Sequence, residues 1–114
     1  MALYGIYHVV TYIIAPGKFT QFKRFFPTEK ERWLLLPGVK SVKAYAPQFG
    51  LGRARSVEVW VEIEDYATYD QWDQWFLDHA EEVSSWTELR DVVQEERARV
   101  MGDWPESHLV EMQE

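Results

Sequence analysis

The stretch RSVEVWVEIE, residues 55–64, alternates along almost its whole length. Val57, Val59, Val61 and Ile63 fall on one side of an extended chain, and Glu58, Trp60, Glu62 and Glu64 on the other. Successive side chains of a strand point to opposite faces, whereas helical spacing would scatter these valines around a cylinder. The segment therefore demands a sheet. One face must meet an apolar layer, and the other must meet something that accepts an indole ring among carboxylates.

The remaining segments supply partners for that strand. LYGIYHVVTYII, residues 3–14, is β-branched and aromatic throughout and stops at Ala15-Pro16-Gly17, which predicts a central strand. His8 shares a face there with Tyr4 and Tyr12, but both faces are rich in apolar residues, so which one meets the core stays open. In KFTQFKRFFPTEKERWLLL, residues 18–36, Phe19, Phe22 and Phe26 share a helical face, with Lys18, Lys23 and Arg24 outside. Pro27 removes a donor and crowds the preceding turn, while Thr28 and Glu31 have capping-box spacing. The pattern predicts a kinked or restarted helix to about Leu36, ended by Pro37-Gly38.

A second strand follows over 39–47, with Val42, Ala44 and Ala46 on one side and Lys43 and Tyr45 on the other. QFGLGR, residues 48–53, reads as a loop. After the third strand, Asp65 is placed to cap a helix over 66–76 whose stripe is Tyr69, Trp72 and Phe76. Ser85 with Glu88 makes a second capping box and predicts a helix over 86–101, with Trp86, Leu89, Val93 and Val100 inward and Gly102 as its stop. The tail SHLVEMQE, residues 107–114, is expected to form a last short strand. No repeat or linker divides the chain, so residues 1–114 are expected to form one domain.

That order places two helical layers on one face of a four-stranded antiparallel sheet, an α+β, ferredoxin-like arrangement. Val57, Val59, Val61 and Ile63 meet the helices. The opposite face holds Lys43, Tyr45, Glu58, Trp60 and Glu62, and no chain remains to cover it. A bare face bearing Trp and Tyr marks an interface or a ligand site. The economical cover is a second copy of the chain, sheet facing sheet, as a homodimer with a cavity between the two sheets.

Charge and composition narrow the function classes. The net charge is −7, but residues 1–57 carry nine Lys and Arg against two acids, and residues 58–114 three Arg against seventeen. The basic half points toward nucleic acid. The alternative is that the halves pair with each other, and the overall acidity repels phosphate backbones, so no nucleic-acid partner is expected. There is no cysteine, which excludes disulfides and thiolate chemistry. No run of about 18 apolar residues and no basic leader are present, so no membrane partner is expected and a cytoplasmic location is.

Several of these segments carry a resemblance. APGKF after the first strand, LPGVKSVKAY, and VEVWVEIEDYATYDQW are similar to the dimeric α/β-barrel superfamily over most of residues 3–78. The PGVKSV junction and the acidic step into the second helix resemble antibiotic-biosynthesis-monooxygenase-like domains. The Trp of the third strand and the extra C-terminal helix resemble the NIPSNAP group. The resemblance implies a homodimeric α/β barrel with a small-molecule pocket in each protomer. Known members include cofactor-independent oxygenases acting on aromatic molecules, haem-degrading enzymes and isomerases. The oxygenase and haem-degrading branches typically rely on an Asn, and this sequence has none, which counts against both activities.

The candidate chemistry centres on His8. With Tyr45 and Glu58 it is expected to form a catalytic acid–base set, since a carboxylate beside a histidine can poise a base near neutrality. Tyr4, Tyr12, Lys43, Trp60, Glu62 and Trp75 are the candidate substrate-binding residues. The alternative is a hydrogen-bonded histidine at a dimer seam, with Glu58 and Glu62 paired to Lys43 or an Arg. Arg53 and Arg55 flank the glycine loop and suit an anionic group or the acidic half. His8, His79 and His108 lack ligand spacing on one element, so no metal is expected, and no other cofactor is. The leading function is a cofactor-independent, monooxygenase- or isomerase-like enzyme acting on an aromatic or lipophilic molecule. The rival is a non-catalytic dimeric binding module.

Overall fold

The computed structural model describes residues 5–46 and 55–103. Strand β1 (Ile6–Ile14) leads into helix α1 (Phe19–Leu35), strands β2 (Val39–Tyr45) and β3 (Ser56–Ile63), helices α2 (Thr68–Asp78) and α3 (Ala80–Ser84), and strand β4 (Val93–Gly102). The four strands form one sheet in the order β2-β3-β1-β4, antiparallel at every step. This is the ferredoxin-like α+β arrangement expected from the order of elements.

The valine face of β3 behaves as its alternation requires. Val57, Val59, Val61 and Ile63 are all buried, and the intervening Ser56, Glu58, Trp60 and Glu62 are only partly so. Val10, Tyr12 and Ile14 of β1 and Val42 of β2 join them in one core with Phe22 and Leu36 from the α1 segment and Trp72 from α2. Both long helices therefore lie on one face of the sheet. Helix α1 is a single helix containing Pro27, rather than one restarted at Thr28. An interior proline costs about 3 kcal/mol. Burying one large apolar side chain returns about 1.5–3 kcal/mol, and Phe22 is buried while Phe19, Phe26 and Trp33 pack against the same core.

The C-terminal third departs from the helix expected over 86–101. Ser85 caps nothing that follows: its hydroxyl donates to the Glu82 carbonyl at 2.6 Å, at the end of α3. Glu88 instead receives Arg32 of α1 in a two-point pair at 2.9 and 3.0 Å. QEERARVM then runs as β4, paired with β1 from Ile6↔Gly102 to Ile14↔Val93, with a bulge near Ile13. The cause is tertiary. Central strand β1 would otherwise leave a row of backbone donors and acceptors unpaired on one edge, and that need overrides the helix propensity of Glu, Arg and Ala. The tail expected to supply this strand lies outside the described residues.

The α1–β2 junction is tight. Gly38 has φ +75°, and a Cβ there would stand 2.6 Å from the Thr68 hydroxyl of α2. The Trp72 indole nitrogen donates to the neighbouring Pro37 carbonyl at 2.8 Å, and Asp65 accepts the Thr68 amide at 3.1 Å, as its capping role predicts. Gly38→Ala is expected to lower stability by about 1–3 kcal/mol, through a left-handed backbone and a displaced Thr68. Urea unfolding checks this; an unchanged midpoint would refute the junction's role.

Candidate functional site

The central ladder decides which side chains can meet. In the β1–β3 register, Tyr7 pairs with Glu62, Val9 with Trp60 and Thr11 with Glu58, while His8 pairs with Val61 and Tyr12 with Val57. Paired residues share a face. His8 and Tyr12 therefore lie under the helices, and Tyr45, Lys43, Glu58, Trp60 and Glu62 lie on the open face. The expected cluster of His8 with Tyr45 and Glu58 does not form, because the sheet stands between them.

The open face is a packed surface in its own right. Trp60 has Tyr7 at 5.4 Å and Tyr45 at 6.0 Å between ring centres, and Lys43 is its strand partner. Beneath them Val9 is completely buried, although it points away from the helical core. The Trp60 indole donates to Glu58 at 3.2 Å, and Arg99 of β4 meets the same carboxylate at 3.0 Å. Glu62 accepts the Ser41 hydroxyl at 3.0 Å and has Lys40 at 3.9 Å. The indole donor, with Arg99 behind it, holds the Glu58 carboxyl below its ordinary range. A carboxylate so committed is a poor general base. Of the alternative set out from the sequence, Glu58 does meet an arginine, but Glu62 has Lys40 rather than Lys43 and His8 lies on the helical side of the sheet, away from this face.

Under the helices, His8 sits in an aromatic box. Its Nδ1 is 3.0 Å from the Tyr69 hydroxyl, and its ring is 5.2 Å from Trp72 and 5.5 Å from Trp33. Burial disfavours the imidazolium and lowers the pKa below 6.5. Trp75 stacks on His79 at 4.1 Å and lies 6.2 Å from Trp86. Tyr4, Arg53 and His108 lie outside the described residues. Arg55 rests over Phe19 at 4.9 Å.

A cavity of about 290 Å³ opens on this helical side, floored by Tyr12 and Glu96. Glu29, Arg32, Trp33 and Leu36 from the α1 side wall it, opposite Phe76 and Trp86. An adjoining cavity of about 380 Å³ continues past Leu89 and Val93. The Tyr12 hydroxyl donates to Glu29 at 2.8 Å and accepts the Trp33 indole N–H at 3.2 Å. Burial, reinforced by Glu29, pushes the Tyr12 phenol far above its ordinary value. Burial also raises Glu29, against the Tyr12 donor and with Glu96 adding repulsion. Arg32 lies over Trp86 at 4.6 Å and Phe25 at 5.1 Å, and its bond holds Glu88 down at about 2.

Among the described residues, Tyr12 is thus the one predicted site residue that lines this cavity. Phe76 lines it in place of its neighbour Trp75. Glu29, Arg32, Trp86 and Glu96 were not singled out as site residues, yet one signal was present. Phe19, Phe22, Phe26, Glu29, Trp33 and Leu36 follow alternate spacings of three and four, so Glu29 is a carboxylate on an apolar helical stripe. Among the described residues, no group of three His, Cys, Asp or Glu is placed to hold a metal ion, and no helix is long and apolar enough to cross a membrane.

This architecture defines a ferredoxin-like α+β protein with helices on one face of the sheet and, among the described residues, none on the other. Solved structures share it at low identity. An uncharacterized NIPSNAP domain protein from Burkholderia xenovorans superposes with TM-score 0.66 at 13% identity, over 88% of this chain and 95% of that one. A proposed antibiotic biosynthesis monooxygenase from Nitrosomonas europaea gives 0.63 at 11%, over 89% and 91%. A dimeric ferredoxin-like protein of unknown function from Thermobifida fusca gives 0.59 at 12%, over 86% and 90%. No protein-family model matches the chain, and no curated protein does. The resemblance to the dimeric α/β-barrel superfamily is borne out as a likeness of fold.

The buried His8 makes a pH prediction. Between its lowered folded pKa and 6.5 the unfolded chain binds the extra proton, so stability falls as pH drops below about 6.5. His8→Phe should flatten that limb between pH 5 and 7, with Glu29's opposite contribution common to both proteins. Urea midpoints across that range measure it; identical slopes would count against a buried neutral His8.

Proposed function

We propose that this chain is a small-molecule-binding homodimer, sealed through the bare sheet face, that acts on an aromatic or lipophilic molecule without a cofactor. The observation that carries the proposal is the Tyr12–Glu29 hydrogen bond of 2.8 Å on the floor of an aromatic-walled cavity. A partly buried carboxylate with a raised pKa in a cleft is the usual mark of a proton-transfer site. Trp33, Phe76, Trp86 and Leu36 supply the apolar surface that an aromatic body needs. In this reading Glu29 takes or returns a proton, and Tyr12, protonated throughout, orients it. The Thermobifida neighbour is described as dimeric, and the Nitrosomonas neighbour as a proposed monooxygenase. Both descriptions agree with this reading.

The seam residues have the complementary role. Tyr7, Tyr45 and Trp60 supply aromatic area, and the Glu58–Arg99 pair gives polarity with its partners already satisfied. Non-catalytic binding is the second reading, favoured by the Tyr12 hydroxyl being engaged on both sides by Glu29 and Trp33.

Native mass spectrometry tests the assembly. A mass near twice 13.6 kDa is expected, with Trp60→Glu shifting the protein to monomer; a wild-type monomer would sink the seam. Tryptophan fluorescence tests the cavity with 1-naphthol. Saturable quenching should weaken about tenfold in Trp86→Ala, a loss typical of removing an aromatic wall, and persist in Trp60→Ala. The reverse pattern would move the site to the open face.

A further inference from the structure

We infer that the molecule held in the helix-side cavity carries a positive charge: a protonated or quaternary amine attached to an aromatic body. This rests on the cavity being the binding site, as proposed above, and adds the charge class of its ligand. Two features of the lining carry it. Aromatic side chains face the space from several sides: Tyr12 from the floor, Trp33 from α1, and Phe76 and Trp86 from across it. Two carboxylates, Glu29 and Glu96, reach the same space from the α1 wall and from β4.

The charge balance is what separates a cation from a neutral or anionic ligand. Arg32 is the cation of that lining, and its guanidinium is committed to Glu88 in the two-point pair while lying over Trp86. The other ion pairs among the described residues join Lys40 to Glu62, Arg97 to Glu95 and Arg99 to Glu58. Neither Glu29 nor Glu96 has a Lys or Arg within ion-pair distance among those residues. Arg90, exposed, lines the adjoining cavity rather than this one. The lining thus carries more carboxylate than cation, Glu29 and Glu96 against an Arg32 that also acts on Glu29 and already covers the Trp86 ring, with Tyr12, Trp33 and Phe76 as the remaining aromatic lining. An anion placed there would meet the Glu29 and Glu96 carboxylates, with the nearest cation, Arg32, already paired to Glu88.

The raised Glu29 pKa agrees with this arrangement. A cation near the Tyr12 hydroxyl would stabilise the Glu29 carboxylate and offset its repulsion with Glu96, opposing the burial that favours its protonated form. Binding should therefore release protons on the acid side of neutrality.

Three probes with one aromatic body separate the possibilities: tryptamine, tryptophol and indole-3-acetate, titrated by calorimetry into the full-length protein. Tryptamine should bind at least about tenfold more tightly than the other two, the scale of a desolvated cation–π contact with a carboxylate partner. Glu96→Gln, a change on an exposed strand position, should cut tryptamine affinity severalfold more than it changes that of tryptophol. Glu29→Gln should likewise narrow the gap between the two probes and abolish the proton release seen in buffers of different ionisation enthalpy. Equal affinities, or tighter indole-3-acetate, would overturn the charge assignment while leaving the cavity in place. A tryptamine preference that survives both substitutions would overturn it too. No binding of any probe would overturn the cavity as a site, and the charge inference with it.

Discussion

The β1–β3 ladder is the constraint on which the rest depends. From Ile6↔Ile63 to Ile13↔Ser56, eight consecutive pairs set the parity of the sheet. A slip of one residue would send Val57, Val59, Val61 and Ile63 to the bare face and bring Trp60 and two glutamates under the helices. Burial of the valine face at about 1.5–3 kcal/mol per side chain makes that slip prohibitive. The same parity carries His8 and Tyr12 inward and leaves Tyr7 outward beside Trp60.

Each face then develops its own chemistry from its own neighbours. On the open face the two acids beside Trp60 find partners: Glu58 meets Arg99, and Glu62 meets Lys40 and the Ser41 hydroxyl. Val9, completely buried beneath that layer, shows that the aromatic cover excludes water locally. Such a surface suits packing against another surface. Under the helices the accounting is left incomplete. Tyr12 satisfies part of Glu29 while accepting the Trp33 indole N–H, Arg32 turns to Glu88, and Glu96 faces the remaining space. A polar network open on one side, within aromatic walls, suits a ligand that completes it.

Strand β4 links the two faces and explains why both are formed. Its residues alternate between Arg97 and Arg99 on one side and Glu96 on the other, so one charged segment supplies a cation to the open face and an acid to the cavity. As a helix, the same segment would have presented these charges to solvent around a full turn and served neither face. The pairing of Arg32 with Glu88 holds the preceding segment across α1, which delivers β4 to the free edge of β1.

By itself the sequence determined the elements whose patterns are local and one-sided. The alternation of β3, the phenylalanine stripe of α1, the Pro37-Gly38 turn and the Asp65 cap each carry enough contrast between faces to be legible in one chain segment. The element order, and with it the ferredoxin-like sheet and its bare aromatic face, followed from those. Tertiary structure alone decided three things. The face of His8 depends on a register set 50 residues away, because β1 is apolar on both sides. The strand identity of 93–102 depends on the unpaired edge of β1, which outweighs a helical local propensity. The cavity carboxylates come from α1 and β4, more than 60 residues apart in the chain, and only the closed sheet brings Glu29 and Glu96 to one space. Local preference is read from neighbours in sequence, whereas pairing and burial are settled by neighbours in space, and the candidate site was built almost entirely from the latter.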